Sequence, residues 1–268
     1  MLGDHGGAQA EAFRTLRTSI AFVALKQELR MLLVTSARSG DGKTETVANL
    51  GVAFARSGRD VIICDLDARR PSLGTLFGPR SSQGVTDVVL GQASLDRALT
   101  TIEVGSSTLD VRARLSAYKS REQREPREPA PGTDGKLQIL PFGTFRPPDP
   151  GALVSSDALQ EVLAELRERA DLVIIDTAPL LVVGDALELS AEADGILAVV
   201  RATRASRGDL AETRRLLATS PAPTIGFVLT DTNATIGEDY GYGYGFDRGS
   251  NSRVATIAME AFERPAER

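Results

Sequence analysis

One cysteine, Cys64, and one histidine, His5, are all that the 268 residues contain of either type. A lone cysteine excludes an internal disulfide and fits a reducing compartment. It ends an apolar run, so a buried structural thiol is expected rather than a reactive one. His5 sits in a glycine-rich terminus, which removes histidine-based catalysis and histidine metal sites from consideration. Long apolar runs are missing too: Leu172 to Ile175 and Ala178 to Val183 are cut short by charge or proline and cannot cross a bilayer. No basic flank followed by an apolar stretch opens the chain, so no export signal is expected and the polypeptide reads as soluble by itself. Positive charge is not in surplus. The formal charge of -5 and the lack of a concentrated basic face argue against nucleic acid as the main partner.

What is present is a strand, a glycine turn and a helix in immediate succession. Val34 to Thr44 reads Val-Thr-Ser-Ala-Arg-Ser-Gly-Asp-Gly-Lys-Thr. Glycines at 40 and 42 let backbone N–H groups crowd onto phosphate oxygens, Lys43 reaches the β and γ phosphates, and Thr44 can ligate magnesium. From Thr46 to Ser57, Val47, Leu50, Val52, Ala53 and Phe54 recur at helical spacing, so a helix N-terminus points at the anion. Ser39, Gly40, Asp41, Gly42, Lys43, Thr44 and Glu45 are the candidate nucleotide contacts. Ala37 stands where the usual Gly-x-x-x-x-Gly-Lys-Ser/Thr pattern has its first glycine.

With 42% hydrophobic content the chain can bury one large α/β core with embellishments. Ala8 to Leu25 places Phe13, Leu16, Ile20, Val23 and Ala24 on one helical face, with Glu11, Arg14 and Arg17 on an adjoining polar strip. Strands are expected at Met31 to Thr35, Val61 to Cys64, Leu137 to Leu140, Leu172 to Ile175, Gly195 to Val200 and Ile225 to Leu229. Helices at Asp157 to Arg169 and Asp209 to Ala218 separate several of them. Such alternation requires crossover connections, hence an α/β fold with a mainly parallel central sheet flanked by helices on both faces. Residues 104–136 dissolve into Arg, Glu, Pro and Gly and read as a surface insertion. The main domain spans 1–230 and the tail 231–268.

Two further acidic motifs follow apolar strands. Val61 to Pro71 carries Asp65 and Asp67 two residues apart, so that both side chains leave one face, and Leu172 to Pro179 carries Asp176. Ligands of open parallel sheets sit beyond the carboxyl ends of the strands, which brings Asp65, Asp67 and Asp176 towards the metal and phosphates held by the first loop.

The three motifs in this order, together with Glu11-x-x-Arg14-x-x-Arg17-Thr18, Pro147-Pro148-Asp149-Pro150, Gly184-Asp185-Ala186 and Val199-Val200-Arg201, resemble the bacterial tyrosine autokinases of capsule and exopolysaccharide synthesis. The resemblance covers about residues 10 to 230. These are relatives of Min-type and partition ATPases within the P-loop NTPase fold, and they lack the early signature lysine, here Arg38. The resemblance implies ATP and Mg2+, with Thr44, Asp67 and Asp176 at the metal, the carboxylates through water. Asp65 is then the candidate for orienting and deprotonating the tyrosine hydroxyl, while Lys43 completes the catalytic group. Arg69 and Arg70 pair with phosphate or with a neighbouring protomer.

The implied acceptors are Tyr240, Tyr242 and Tyr244, which alternate with glycine before Phe246. A ring-like homo-oligomer through Glu11, Arg14 and Arg17 is implied, as are a transmembrane chain-length regulator (polysaccharide co-polymerase) as activator and a tyrosine phosphatase. The protein would act at the inner face of the cell membrane, through that partner or a missing transmembrane segment. Thr230, Asp231 and Asn233 are candidate adenine contacts on the same grounds. Competing functions are a positioning ATPase that phosphorylates no protein, and a nucleotide-binding assembly regulator without kinase activity. Beyond the tyrosines, Val254, Ile257, Ala258, Ala261 and Phe262 fit one helical face, so a small docking helix or a disordered end is expected. Glu260 and Glu263 weigh against a membrane-surface helix.

Overall fold

The computed structural model describes residues 8–78, 83–104, 135–232 and 254–258. An eight-stranded sheet in the order β3-β4-β2-β5-β1-β6-β7-β8 organises them. The strands are β1 (Met31–Ser36), β2 (Val61–Leu66), β3 (Thr100–Ile102), β4 (Leu137–Leu140), β5 (Leu172–Thr177), β6 (Gly195–Arg201), β7 (Thr224–Thr232) and β8 (Val254–Ala258). From β4 to β7 all neighbours are parallel, and only the edge strands β3 and β8 run antiparallel. The expected mainly parallel sheet is therefore found, with its carboxyl edge carrying the site.

The strands read as unbroken apolar runs because both faces are covered. In β1, Leu32 and Val34 join a core with Phe13, Leu16 and Ile20 of α1 (Ala8–Ala24) and Val47, Leu50 and Phe54 of α2 (Lys43–Ala55). Met31 and Leu33 point the other way. They meet Cys64 and the helix of residues 157–169, through its Leu159, Leu163 and Leu166. Gly51 lets α2 lie against the sheet, since a Cβ there would stand 2.6 Å from Ile63 Cδ1. Cys64 is buried, and burial pushes its thiol well above the usual value, which makes it unreactive.

Boundaries shift where local chemistry acts. α2 begins at Lys43 rather than Thr46 because Gly42, at φ 93°, is a left-handed cap that admits the helix at the next residue. Short helices α3 (Leu73–Phe77), α4 (Val85–Val89) and α5 (Leu95–Ala98) precede β3. The proline-rich turn opens α6 (Pro150–Val154), capped by Asp149, and α7 is the helix of residues 157–169. α8 (Asp185–Leu189) follows β5. α9 (Arg207–Leu217) starts two residues early because the Ser206 hydroxyl accepts the Asp209 N–H.

One expectation is overturned. Val254 to Ala258, expected within a small docking helix or a disordered end, forms β8 against β7, with Val228 opposite Ile257. Val254, Thr256 and Ile257 are β-branched, and pairing along the otherwise open edge of β7 outweighs a helical apolar spacing. The sheet thus takes in residues beyond 230. Most of the 104–136 insertion, Tyr118, Asn233, the three tyrosines and the rest of the tail lie outside the described residues.

Candidate active site

The site is built at the carboxyl ends of β1, β2 and β5. Asp65 and Asp176 fall within the strands, directly opposite each other in the β2–β5 register. The sequence had suggested that the strands stop one residue before each carboxylate. Asp176 is fully buried and accepts hydrogen bonds from Lys43 Nζ through Oδ1 and from Thr44 Oγ1 through Oδ2, the latter at 2.7 Å. Asp67 Oδ2 lies 3.4 Å from the same ammonium group. Burial disfavours the charge on Lys43, but Asp176 and Asp67 outweigh it and raise its pKa, so it stays protonated. One buried cation is thus shared by two strand-end carboxylates at the N-terminus of α2.

Asp65 is held differently. Its Oδ1 accepts the Asp67 N–H at 3.1 Å, and its Oδ2 accepts the N–H groups of Ser72 at 2.9 Å and Leu73 at 3.0 Å. Burial, helped by the Asp176 charge, pushes its carboxyl up to about 7, within the range of a general base at neutral pH. The same contacts fix the 67–73 turn. In it Asp67 Oδ1 accepts the Arg70 N–H at 3.0 Å, and Ser72 Oγ donates to Thr44 Oγ1 at 3.0 Å. Ser72 was not foreseen, because a lone serine after a proline carries no distinctive spacing.

The loop has the backbone that a phosphate cradle needs. Gly40 and Gly42 are both left-handed, at φ 88° and 93°, and added Cβ atoms would lie 3.3 Å from Arg204 Nη1 and from Thr230 Cγ2. Asp231, at φ 54°, is the only non-glycine residue with positive φ among those described, so Ala37 has none. That is why alanine is tolerated at the motif's first glycine position. Asp41 is turned into the loop, where its carboxylate accepts the Arg38 N–H at 2.9 Å. Ser39 Oγ accepts from Arg70 Nη1 at 3.1 Å.

Beside the loop lies a cavity of about 230 Å³, lined among others by Gln9, Phe13, Glu45, Arg201, Thr230 and Asp231. Thr230 Oγ1 donates to the Asp41 carbonyl at 2.6 Å, while Asp231 accepts from Arg201 Nε at 2.8 Å and Thr203 Oγ1 at 2.6 Å. Glu45 is exposed and accepts from Gln9 at 3.3 Å, so it faces α1. A second cavity, around Leu163, Arg167 and Glu192, is lined by none of these groups. Glu11 and Arg14 pair at 2.7 Å on the exposed side of α1, with Arg17 half-buried beside them. The contacts of Arg38 with Asp209 and of Arg201 with Asp231 span 171 and 30 positions, which no local pattern announces.

The oxygen donors fit a hard cation. Thr44, Asp67 and Asp176 suit magnesium, and among the described residues no cluster of three or more His, Cys, Asp or Glu is arranged to hold a metal by protein ligands alone. Magnesium fits such a sparse set because it keeps waters and takes phosphate oxygens.

Residues 32–235 match the CobQ/CobB/MinD/ParA nucleotide binding domain family. The tyrosine-protein kinase YwqD of Bacillus subtilis is 30% identical over 233 residues, covering 87% of this chain and 85% of the relative. The putative tyrosine-protein kinase EpsB of Ralstonia solanacearum is 30% identical over 235 residues, but the match takes in only 27% of that longer protein. Among solved structures, the chimerical protein CapA2B2 superposes with a TM-score of 0.66 at 25% identity, covering 81% of this chain and 82% of the other. No described helix is long and apolar enough to cross a membrane.

Proposed function

This chain belongs to the CobQ/CobB/MinD/ParA nucleotide-binding family and, within it, to the bacterial protein-tyrosine kinases, and from that premise we propose that it moves the γ-phosphoryl group of ATP onto tyrosines of its own kind. The acceptors are Tyr240, Tyr242 and Tyr244, which one protomer presents to the site of another. The observation that carries the reading is the buried group of Lys43, Thr44, Asp67 and Asp176 at the head of α2, behind a loop with two left-handed glycines.

In the transfer the phenol oxygen bonds to the γ-phosphorus and the bond to the β,γ-bridging oxygen breaks. ADP leaves with those electrons, and the phenol proton passes to Asp65. Loop N–H groups and Lys43 neutralise the β and γ phosphates as charge develops there. Thr44, Asp67 and Asp176 would hold magnesium, which would add to the neutralisation of the phosphates. Asp65 has a second duty: its three backbone contacts keep Ser72 on Thr44. Base strength near neutrality supports the acceptor role, and the transition state of phosphoryl transfer is loose enough for the proton to leave late.

The cavity beside the loop takes the nucleoside, with Thr230 and Asp231 on its wall. Subunits assemble as a ring through the Glu11, Arg14 and Arg17 strip. The end of α1, where Phe22 and Leu25 are 63% and 81% exposed, supports a partner surface there. A transmembrane chain-length regulator activates the kinase at the inner face of the membrane, a phosphatase reverses the label, and the output is control of exopolysaccharide or capsule synthesis. Purified protein incubated with ATP and magnesium should react with anti-phosphotyrosine antibody; the same reaction with ADP should not. Nucleotide binding without any phosphotyrosine would transfer the case to a non-kinase ATPase or an assembly regulator.

A further inference from the structure

Several arginines border the phosphate loop in a chain whose formal charge is -5. Arginines approach it from both sides, and they fall into two groups. Arg38 and Arg201 are neutralised within the chain, by Asp209 at 2.7 Å and by Asp231 at 2.8 Å. Arg69, Arg70 and Arg204 are exposed, and none of them has a carboxylate within 4.0 Å among the described residues. Arg70 Nη1 donates to Ser39 Oγ at 3.1 Å, and Arg204 Nη1 lies 3.3 Å from where a Cβ on Gly40 would be, so the two heads flank consecutive residues of the loop. The Arg69 charge faces the buried carboxylate of Asp185, whose Oδ2 has no hydrogen-bond donor among the described residues.

An acceptor tyrosine approaching this site meets a triphosphate together with Asp65, Asp67 and Asp176. An acidic acceptor segment would be repelled unless surface cations offset that field. Yet in the sequence Glu238 and Asp239 immediately precede Tyr240, and Asp247 follows Phe246. We propose that Arg70 and Arg204, with Arg69 beside them, form a docking rim for carboxylates placed just before the acceptor tyrosine. This rests on the kinase reading and names its substrate class as Glu/Asp-Tyr sequences. Guanidinium groups suit the task because they grip carboxylates through two parallel hydrogen bonds and stay charged at any working pH.

The test uses the full chain carrying Glu238→Gln and Asp239→Asn, so that its own segment does not compete. Two fluorescein-labelled peptides with the sequence of residues 236–247 are titrated by anisotropy, one acidic as written and one with the same two substitutions. The acidic peptide should bind about tenfold more tightly at low salt, ~1.4 kcal/mol, and the ratio should shrink as salt is raised. Adding Arg70→Ala and Arg204→Ala to the protein should bring the ratio close to one. Equal affinities for the two peptides would overturn the proposal. So would a ratio still near tenfold in the arginine variant, especially if that variant instead lost ATP affinity, because the arginines would then serve the nucleotide. Binding with the expected preference but no phosphoryl transfer to the acidic peptide would leave the docking rim standing and remove the kinase reading.

Discussion

The guanidinium of Arg38 grips the carboxylate of Asp209 through two hydrogen bonds, Nε to Oδ2 at 3.0 Å and Nη2 to Oδ1 at 2.7 Å. The first residue group of the phosphate loop is thereby tied to the N-terminal turn of α9 in the same chain. Arg38 is thus partnered within its own chain.

The pair sets a pH expectation. Its hydrogen bonds to Arg38 hold the Asp209 carboxyl down at about 2, below its ordinary 3.8. A depressed carboxyl contributes stability that is present above the unfolded value and is lost as pH falls through the folded one. The gap in urea midpoint between wild type and Asp209→Asn should therefore stay constant across neutral pH and close only as pH drops from about 4 to about 2. A gap that instead closed near neutrality would mean that another group governs the latch.

Much of this was legible in the sequence, and the parts that were not share a cause. The positions of the six parallel strands, the phosphate loop and the three aspartates follow from local runs: apolar residues with β-branched members, glycines before Lys-Thr, and carboxylates at strand ends; the three-residue edge strand β3 is too short to leave such a run. β8 was misread because five residues with apolar spacing fit either period, and the open edge of β7, a tertiary feature, decided between them. Ser72, Asp209, Arg201 and Arg204 were invisible as site residues because their meaning lies in which loop they reach. Ala37 raised a question that only its backbone angle answers.

That angle gives a contrast between two glycine positions. Gly42→Ala should weaken the protein by ~1–2 kcal/mol, since its φ is 93° and the new Cβ would crowd Thr230; nucleotide affinity should fall with it. Ala37→Gly, which restores the common form of the motif, should leave nucleotide affinity within about twofold and cost at most ~1 kcal/mol through unfolded-chain entropy. Thermal melts and calorimetric titration of both variants check this, and a large gain in affinity from Ala37→Gly would contradict the reading of the loop.

Lys43→Met removes the shared cation. Phosphotyrosine formation should disappear, and because Asp176 and Asp67 then face each other uncompensated, stability should drop by ~3–5 kcal/mol. A variant with an unchanged melting curve would show that the Lys43 pairing contributes little, and a retained antibody signal would exclude Lys43 from the transfer.

Acceptor identity is open to a direct check. With Tyr240, Tyr242 and Tyr244 all changed to Phe, most of the label should vanish while ATP affinity stays within about twofold, as none of the three belongs to the nucleotide site assigned above. Mass spectrometry that found Tyr118 carrying the phosphate instead would displace the assignment.

The destination of the γ-phosphoryl group separates a kinase from an ATPase or a silent nucleotide binder. Purified protein incubated with magnesium and γ-labelled ATP should carry label as phosphotyrosine at a rate that rises with protein concentration, while Lys43→Met carries none. Label recovered only as free phosphate, or remaining wholly in ATP, would contradict the kinase reading.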